Sequence, residues 1–275
     1  MDNSLKKYQE HLLEMLIEFQ RFCEEHNIKF FLVGGSALGA FRHHGFIPWD
    51  DDIDVAMFRD DFEKMEAFME SNNNKLKDMD YSPVEKKILP EAPIGHLYDF
   101  KITELRIHAP KIDIHPIDGV PCSKIQRMLQ KYLSLIYYLG IYHLPVKNKG
   151  KFARDSSKIL LKIIPEKMWK IIIRFCKNYI TKWNTEKSNN VCSLFGVAGY
   201  SREIMPKDWL IPLQKVKFGI SEFWAPSMQD KYLTQLYGDW KKLPDNQYRK
   251  PQHDSYLYCK PVSYTHLTLP TNREV

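Results

Sequence analysis

The sequence predicts an α+β fold, and three observations carry that expectation. Helix-period and strand-period segments alternate over the first 120 residues, and a basic helical segment follows them. The chain is also long enough, at 275 residues with 44% hydrophobic content, to bury a large core. With 27% charged and 13% aromatic residues, it is neither a disordered chain, a collagen-like chain nor a small disulfide scaffold. Its formal charge of +6 is too small to name nucleic acid as a partner, and none is expected.

Residues 4–26 read as an amphipathic helix. Leu5, Tyr8, Leu12, Leu16, Phe19 and Phe22 recur at steps of three and four, with charged residues between them. Ile28 to Val33 is short, apolar and β-favouring, and Gly34-Gly35 ends it, so a buried strand is expected. Ser36 to His44 reads as a short helix with Ser36 at the N-cap. Gly45 and Pro48 mark a loop, and Ile53 to Phe58 a second strand. Asp60 to Ser71 gives a helix with Phe62, Met65, Phe68 and Met69 on one face. Further strands are expected near 97–103 and at 111–115, the latter ending at Pro116. Residues 124–182 are helical by pattern, with breaks near Pro145 and Pro165, and a short helix is expected at 227–237 within the mixed segment 191–258.

Five scattered cysteines without a CxxC pair argue against a disulfide framework or a structural zinc site, which favours a reducing compartment. His43-His44 diverge as neighbours and make no zinc site. The N-terminus lacks the charged-then-apolar order of a signal peptide. The longest apolar run, Leu133 to Leu144, is about two-thirds of a bilayer span, so a cytoplasmic location is expected. Residues 262–275 continue no period and resemble translated adaptor DNA at the end of a truncated gene. They are treated as a non-native tail.

The chemistry lies between Gly34 and Asp54. Asp50, Asp52 and Asp54 are spaced by two, and on a strand they project from one face, with Asp51, Ile53 and Val55 on the other. Alternate carboxylates lie roughly 6–7 Å apart, close enough to neighbour one divalent cation. Three like charges on one face repel, and Asp54 sits between apolar Ile53 and Val55, where an unneutralised acid is costly. Hard oxygen ligands suit Mg²⁺ or Mn²⁺. A calcium loop is excluded, because Val55 stands where the required glycine would be and Asp61 where the glutamate would be. The bland reading of Asp50 to Asp52 is a solvated turn before a strand.

Gly34-Gly35-Ser36 falls between a strand and a helix, where backbone N–H groups and the helix N-terminus can face an anion and Ser36 can add a hydroxyl. By itself a Gly-Gly turn is usually only a turn. Its place just upstream of the acids makes the two together a phosphate cradle beside a metal site. Arg42 and Lys101 are candidate phosphate contacts. Two acids compete to be the third carboxylate: Asp113, in a strand between Ile112 and Ile114, and Asp118, whose following Gly119 suits a turn. Asp113 is preferred.

The block GGSALGAFRHHGFIPWDDDIDVAM closely resembles the signature of the LicD family, phosphocholine transferases of the nucleotidyltransferase superfamily related to fukutin-type ribitol-phosphate transferases. Ile112 to Pro121 resembles its third-carboxylate strand. Phe223 to Pro226, Tyr232-Leu233, Leu236 to Asp239, Leu243-Pro244 and His253 resemble its C-terminal part, and the likeness covers roughly residues 5–258. His115 stands where the family usually has an aromatic. The resemblance implies a nucleotidyltransferase-like mixed β-sheet core flanked by helices, with a catalytic core at 1–123, the basic helical segment at 124–190 and a completing part at 191–261. It places Gly35 and Ser36 in the phosphate-binding turn, Asp52 and Asp54 as the metal pair, Asp113 as the third carboxylate, and Asp50 at a further acidic position.

What the resemblance implies chemically is Mg²⁺- or Mn²⁺-dependent transfer of phosphocholine, or a similar phospho-alcohol, from CDP-choline or another CDP-alcohol to a sugar hydroxyl. CMP leaves, Asp113 or Asp50 takes the proton, and the acceptor is a cell-surface glycan such as lipopolysaccharide or teichoic acid. A quaternary ammonium needs aromatic faces, for which Trp49, Trp224 and Tyr200 are candidates; Trp49 packed beneath the acid loop is the alternative for that residue. Two rival functions keep other chemistry: nucleotidyl transfer at the same site, or a non-catalytic nucleotide- or carbohydrate-binding module. A metal-dependent glycosyltransferase shares the D-x-D pattern but not the upstream Gly-Gly-Ser turn.

Residues 124–182 hold 14 Lys and Arg against Asp155 and Glu166, a net +12 within an overall +6, which leaves −6 for the rest. Basic residues among apolar runs describe either a solvated helix face over a core or a segment that docks on anionic lipid at the inner face of the plasma membrane. The second reading suits a lipid-linked acceptor.

Overall fold

Strand β6 (Lys111–Val120) is the axis of the molecule, because three other strands pair along its length. The computed structural model describes residues 3–72, 75–83, 94–99, 109–145, 151–183, 185–196, 198–251, 253 and 255–258. The expected strand ending at Pro116 is corrected. β6 runs on to Val120 because it changes partners: β5 (Gly95–Tyr98) pairs with residues 111–114, and β7 (Asn190–Ser193) with residues 117–120. Pro116 lies between those two ladders, where a residue without an N–H is tolerated.

On the other side, β2 (Ile53–Phe58) runs parallel to β6, and β1 (Phe31–Leu32) pairs antiparallel with β2. The mixed sheet has the order β1-β2-β6-β5-β4-β3, with β3 at Lys75–Leu76 and β4 at Met79–Pro83. β7 continues to β8 (Met205–Pro206). The expected strand near 97–103 begins earlier, at Gly95, and its later residues lie outside those described. The architecture is α+β.

Helix α1 (Asn3–Glu25) buries the whole predicted stripe from Leu5 to Phe22, with Leu12, Leu16 and Phe19 fully enclosed. These residues pack in one core with Ile53, Val55 and Met57 of β2 and with Phe62, Met65 and Met69 of α3 (Arg59–Ser71). Asp60 and Asp61 in the first turn of α3 complement its N-terminal dipole.

Helix α2 (Gly34–His43) starts two residues before the expected N-cap. Val33 takes that position without a side-chain cap, and Ser36, inside the first turn, accepts a hydrogen bond from the Asp54 N–H at 2.9 Å. A long-range backbone partner thus displaced the local capping role. Asp118 is corrected as well. It is no turn residue: it lies within β6, fully buried, and receives two bonds from Arg59, at 2.7 and 2.6 Å.

The basic segment folds as α4 (Lys124–Tyr142), α5 (Lys151–Ile163) and α6 (Glu166–Ile180). Helices α4 and α6 form a second core through Tyr137, Ile141, Trp169, Ile173 and Cys176 with Val120 of β6 and Cys192 of β7. Gly140 allows this approach, since a Cβ there would stand 2.7 Å from Ile173 Cγ1. The buried Gln130 amide donates to the carbonyls of Gly119 and Ile180 and so fastens α4 to the sheet and to α6. Beyond β7 come the short helix α7 (Tyr200–Glu203), the hairpin of β9 (Gln214–Phe218) and β10 (Ser221–Ala225), then α8 (Gln229–Tyr237) and α9 (Ser255–Tyr258). Residues 262–275 lie outside the described residues.

Candidate active site

Register assembles the site. The parallel β2–β6 pair sets Asp54 opposite Asp113, and the antiparallel β5–β6 pair sets His96 opposite the same Asp113. Three polar side chains from three strands thus stand in one row. Lys111 and His115 lie two positions either side of Asp113 and share its face. His96 Nδ1 is 2.5 Å from Asp113 Oδ1, Lys111 Nζ donates to Asp113 Oδ2 at 2.5 Å, and His115 Nε2 is 3.1 Å from Asp54 Oδ1.

Asp50 and Asp52 reach the same place by a different route from the one expected. They precede β2 in an extended loop, because the chain turns through an Asp50 N–H to Ile47 carbonyl bond. Gln9 of α1 clasps that loop by donating to the carbonyls of Ile47 and Asp50. Asp51 points away, and its buried carboxylate accepts the His253 N–H at 2.8 Å. Asp50, Asp52, Asp54 and Asp113 all line one cavity of about 710 Å³.

The electrostatics divide these acids in two. Burial and repulsion by Asp52 and Asp54 push Asp50 up to about 8. Burial and repulsion by Asp54 and Asp113 push Asp52 up to about 7. Burial opposes the charge on Asp113 too, but the His96 hydrogen bond and the charges of His96 and Lys111 hold it well below the usual carboxylate range. His115 is buried, which disfavours its proton, yet the bond to Asp54 wins and raises its pKa.

Glycines at the start of α2 are required by these carboxylates. Gly34 has φ +53°, and a Cβ there would lie 2.9 Å from Asp54 Oδ2; a Cβ on Gly35 would lie 3.0 Å from Asp50 Oδ2. The Gly34 N–H donates to the Tyr232 hydroxyl at 3.0 Å. The next N–H groups of that turn belong to Gly35 and Ser36, and Gly34 and Gly35 both line the cavity.

Ser36 is 2% exposed with its hydroxyl engaged on Asp54, so it fixes β2 against α2 rather than lining the cavity. Arg42 also stands off the cavity lining: its guanidinium donates to the Trp240 carbonyl at 2.8 Å. Lys101 lies outside the described residues. Of the three aromatic candidates, Trp49 lines the cavity. Trp224 instead lies beneath Lys215 on the β9–β10 hairpin, and the Tyr200 hydroxyl donates to Gln130.

Several lining residues were not anticipated. Tyr138 and Tyr142, one turn apart on α4, bring their rings to 4.3 Å, and Phe195 stands 6.4 Å from Tyr138; all three face the carboxylate cavity. Glu203 also lines it, and burial raises the pKa of its carboxyl although the Ala198 N–H donates to it. Lys111 was legible from its i−2 spacing to Asp113. His96 carried no local signal, since its place depends on the β5–β6 pairing.

Four carboxylates in mutual repulsion supply hard oxygen donors and excess negative charge, which fits a divalent cation. Asp113 and Asp54 are meanwhile balanced by Lys111, His96 and His115. Among the described residues, no three His, Cys, Asp or Glu side chains are gathered closely enough to enclose an ion as they stand.

Residues 27–130 match the family model described as LicD/FKTN/FKRP, nucleotidyltransferase domain. The chain is 27% identical over 271 residues to the lipopolysaccharide cholinephosphotransferase LicD of Haemophilus influenzae, covering 93% of this chain and 98% of that protein. Shorter likenesses join it to an uncharacterized protein of Rickettsia prowazekii (33% identity; 22% of this chain, 25% of that one) and to one of Caenorhabditis elegans (49%; 18% and 13%).

Proposed function

We propose that this chain, similar to LicD over residues 27–130 and to a lipopolysaccharide cholinephosphotransferase over most of its length, is a LicD-type transferase that moves phosphocholine from CDP-choline to a hydroxyl of a lipid-anchored glycan, releasing CMP. One observation supports this reading above the others. A single cavity holds four carboxylates, the first turn of a helix and a wall of aromatic rings. These parts match such a donor: the helix turn its pyrophosphate, the carboxylates the pyrophosphate's counter-ion, and the rings its quaternary ammonium.

The N–H of Gly35, which lines the cavity, orients the donor phosphates, aided by the positive end of α2. Lys111 adds a fixed positive charge beside Asp113. Asp52, Asp54 and Asp113 would hold Mg²⁺ or Mn²⁺, which supplies neutralisation of the charge that builds on the leaving CMP. The acceptor oxygen bonds to the phosphorus that carries choline, and the bond from that phosphorus to the CMP oxygen breaks. The hydroxyl proton passes to Asp50. Asp50 lines the same cavity and its raised pKa makes it the more basic of the two candidate acceptors once ionised, whereas Asp113 is held too low to keep a proton.

Choline donates no hydrogen bond, so only ring faces and negative charge can select it. Tyr138, Tyr142 and Phe195 offer the rings, and Tyr142 lies within the field of Asp113. The test is a donor screen with choline-labelled CDP-choline, CDP-ribitol, CDP-glycerol and CDP-ethanolamine. Label appearing on glycan from CDP-choline supports the reading. Preference for another CDP-alcohol would replace the transferred group.

A further inference from the structure

We propose that the outer face of helices α4 to α6 docks on an anionic lipid bilayer and so brings a lipid-anchored acceptor to the mouth of the cavity. The acceptor rests on the function proposed above; the docking does not. Most of the large apolar side chains that stand exposed among the described residues lie on these three helices. Scattered exposed hydrophobics need no explanation, but a concentration of them does.

Helical periodicity makes each of them a stripe. On α4, Ile125, Met128, Leu129, Tyr132 and Leu135 lie opposite the buried Gln130, Ser134 and Tyr137. On α6, Met168, Ile171 and Phe175 lie opposite the buried Trp169, Ile173 and Cys176. Exposure reaches 69% at Ile163, 64% at Ile171 and 61% at Phe175. These faces are not simply apolar. Lys151, Lys158 and Lys162 on α5, and Lys167, Lys170 and Arg174 on α6, are exposed among the apolar side chains.

That mixture selects the occupant. A second copy of the chain would set one basic face against another. An anionic bilayer accepts both components, with the lysine and arginine charges among the headgroups and the apolar side chains at the acyl boundary. No helix among the described residues is long and apolar enough to cross a membrane, so the contact is superficial. The α4 stripe also leads into the site: one turn beyond Leu135 is Tyr138, 44% exposed and lining the carboxylate cavity. A glycan anchored in the surface on which α4 rests has its hydroxyls beside that opening.

Flotation with vesicles tests the proposal. The full chain is mixed with phosphatidylcholine vesicles, or with vesicles that also contain phosphatidylglycerol, at low and high salt. Binding is expected only to the phosphatidylglycerol vesicles and weakens with salt. Each surface cation is worth about fivefold in affinity, so the triple variant Lys162→Glu, Lys167→Glu, Arg174→Glu loses about a hundredfold or more. The triple variant Ile163→Ser, Ile171→Ser, Phe175→Ser loses about tenfold or more with its charge unchanged. Both sets are exposed, and an unchanged thermal unfolding midpoint checks their fold.

Absence of binding to anionic vesicles at low salt overturns the proposal. So does wild-type affinity in both variants, or a concentration-dependent dimer that the serine variant abolishes without vesicle binding. Vesicle binding with no turnover of any CDP-alcohol leaves docking intact and removes the proposed reaction. CMP release from CDP-choline without vesicle binding does the reverse.

Discussion

Asp54 and Asp113 stand opposite each other across the parallel β2–β6 pair, and each is held by a different histidine, His115 and His96. The pairing sets Asp54, the last acid of the D-x-D pattern, directly beside Asp113 with no loop between them. Its rigidity comes from backbone register, so neutral substitutions at these positions should remove charge without moving the frame.

Asp54→Asn and Asp113→Asn are therefore expected to lower turnover on the order of 10² to 10³-fold while circular dichroism stays unchanged. Asp50→Asn should also inactivate, yet raise the unfolding midpoint of the metal-free protein, because it removes one of several repelling buried carboxylates. Thermal unfolding alongside a CMP assay separates the two effects. An Asp50→Asn protein that is both less stable and fully active would contradict this account.

Asp50 and Asp52 also set a pH dependence. Their folded pKa values, about 8 and about 7, lie above the ordinary aspartate value of 3.8. The folded state therefore holds these protons over a range in which the unfolded chain has lost them. Stability of the metal-free protein should be fullest below about pH 4 on this account and decline as pH rises towards 7 to 8. Divalent cations compete with those protons. Mg²⁺ should raise the unfolding midpoint more at pH 8 than at pH 5, as differential scanning fluorimetry would detect.

Gly34→Ala places a Cβ against Asp54 at a residue with φ +53°. A cost of about 1–2 kcal/mol is expected from the left-handed backbone alone, with a further loss of activity as Asp54 shifts. Chemical denaturation of the variant reads the first effect and a steady-state assay the second.

Arg59 and Asp118 form a buried pair that fixes α3 to β6. Removing one partner strands the other, so Arg59→Leu should cost about 3–5 kcal/mol. The Michaelis constant for the donor should stay unchanged in whatever fraction remains folded. Urea unfolding and donor kinetics together distinguish this structural acid from Asp113.

The aromatic wall predicts selectivity. Tyr142→Leu should raise the Michaelis constant for CDP-choline by about 2- to 30-fold and leave CDP-glycerol unaffected, whereas Tyr142→Phe keeps the ring and its selectivity. Parallel kinetics with the two donors provide the comparison.

Much of this site was legible where chemistry and local pattern coincide. An acid between Ile53 and Val55, or between Ile112 and Ile114, betrays itself because burial demands a partner. The stripe of α1 follows from helical spacing alone. Long-range contacts overruled local signals elsewhere. Asp118 before Gly119 reads as a turn until Arg59 arrives from another element, and Ser36 reads as a cap until the Asp54 N–H claims its hydroxyl. Tyr142 and Glu203 reach the cavity, and His96 reaches Asp113, only through pairing and packing between distant segments. Trp224 and Tyr200 were plausible as aromatics but lie off the cavity lining.

The most direct test identifies the nucleotide released when the protein, Mg²⁺, CDP-choline and a glycan acceptor are combined. CMP is expected in amounts equal to the phosphocholine gained by the glycan, abolished by Asp113→Asn. No turnover of any CDP-alcohol, or pyrophosphate released from CTP with the nucleoside monophosphate left on the acceptor, would contradict it.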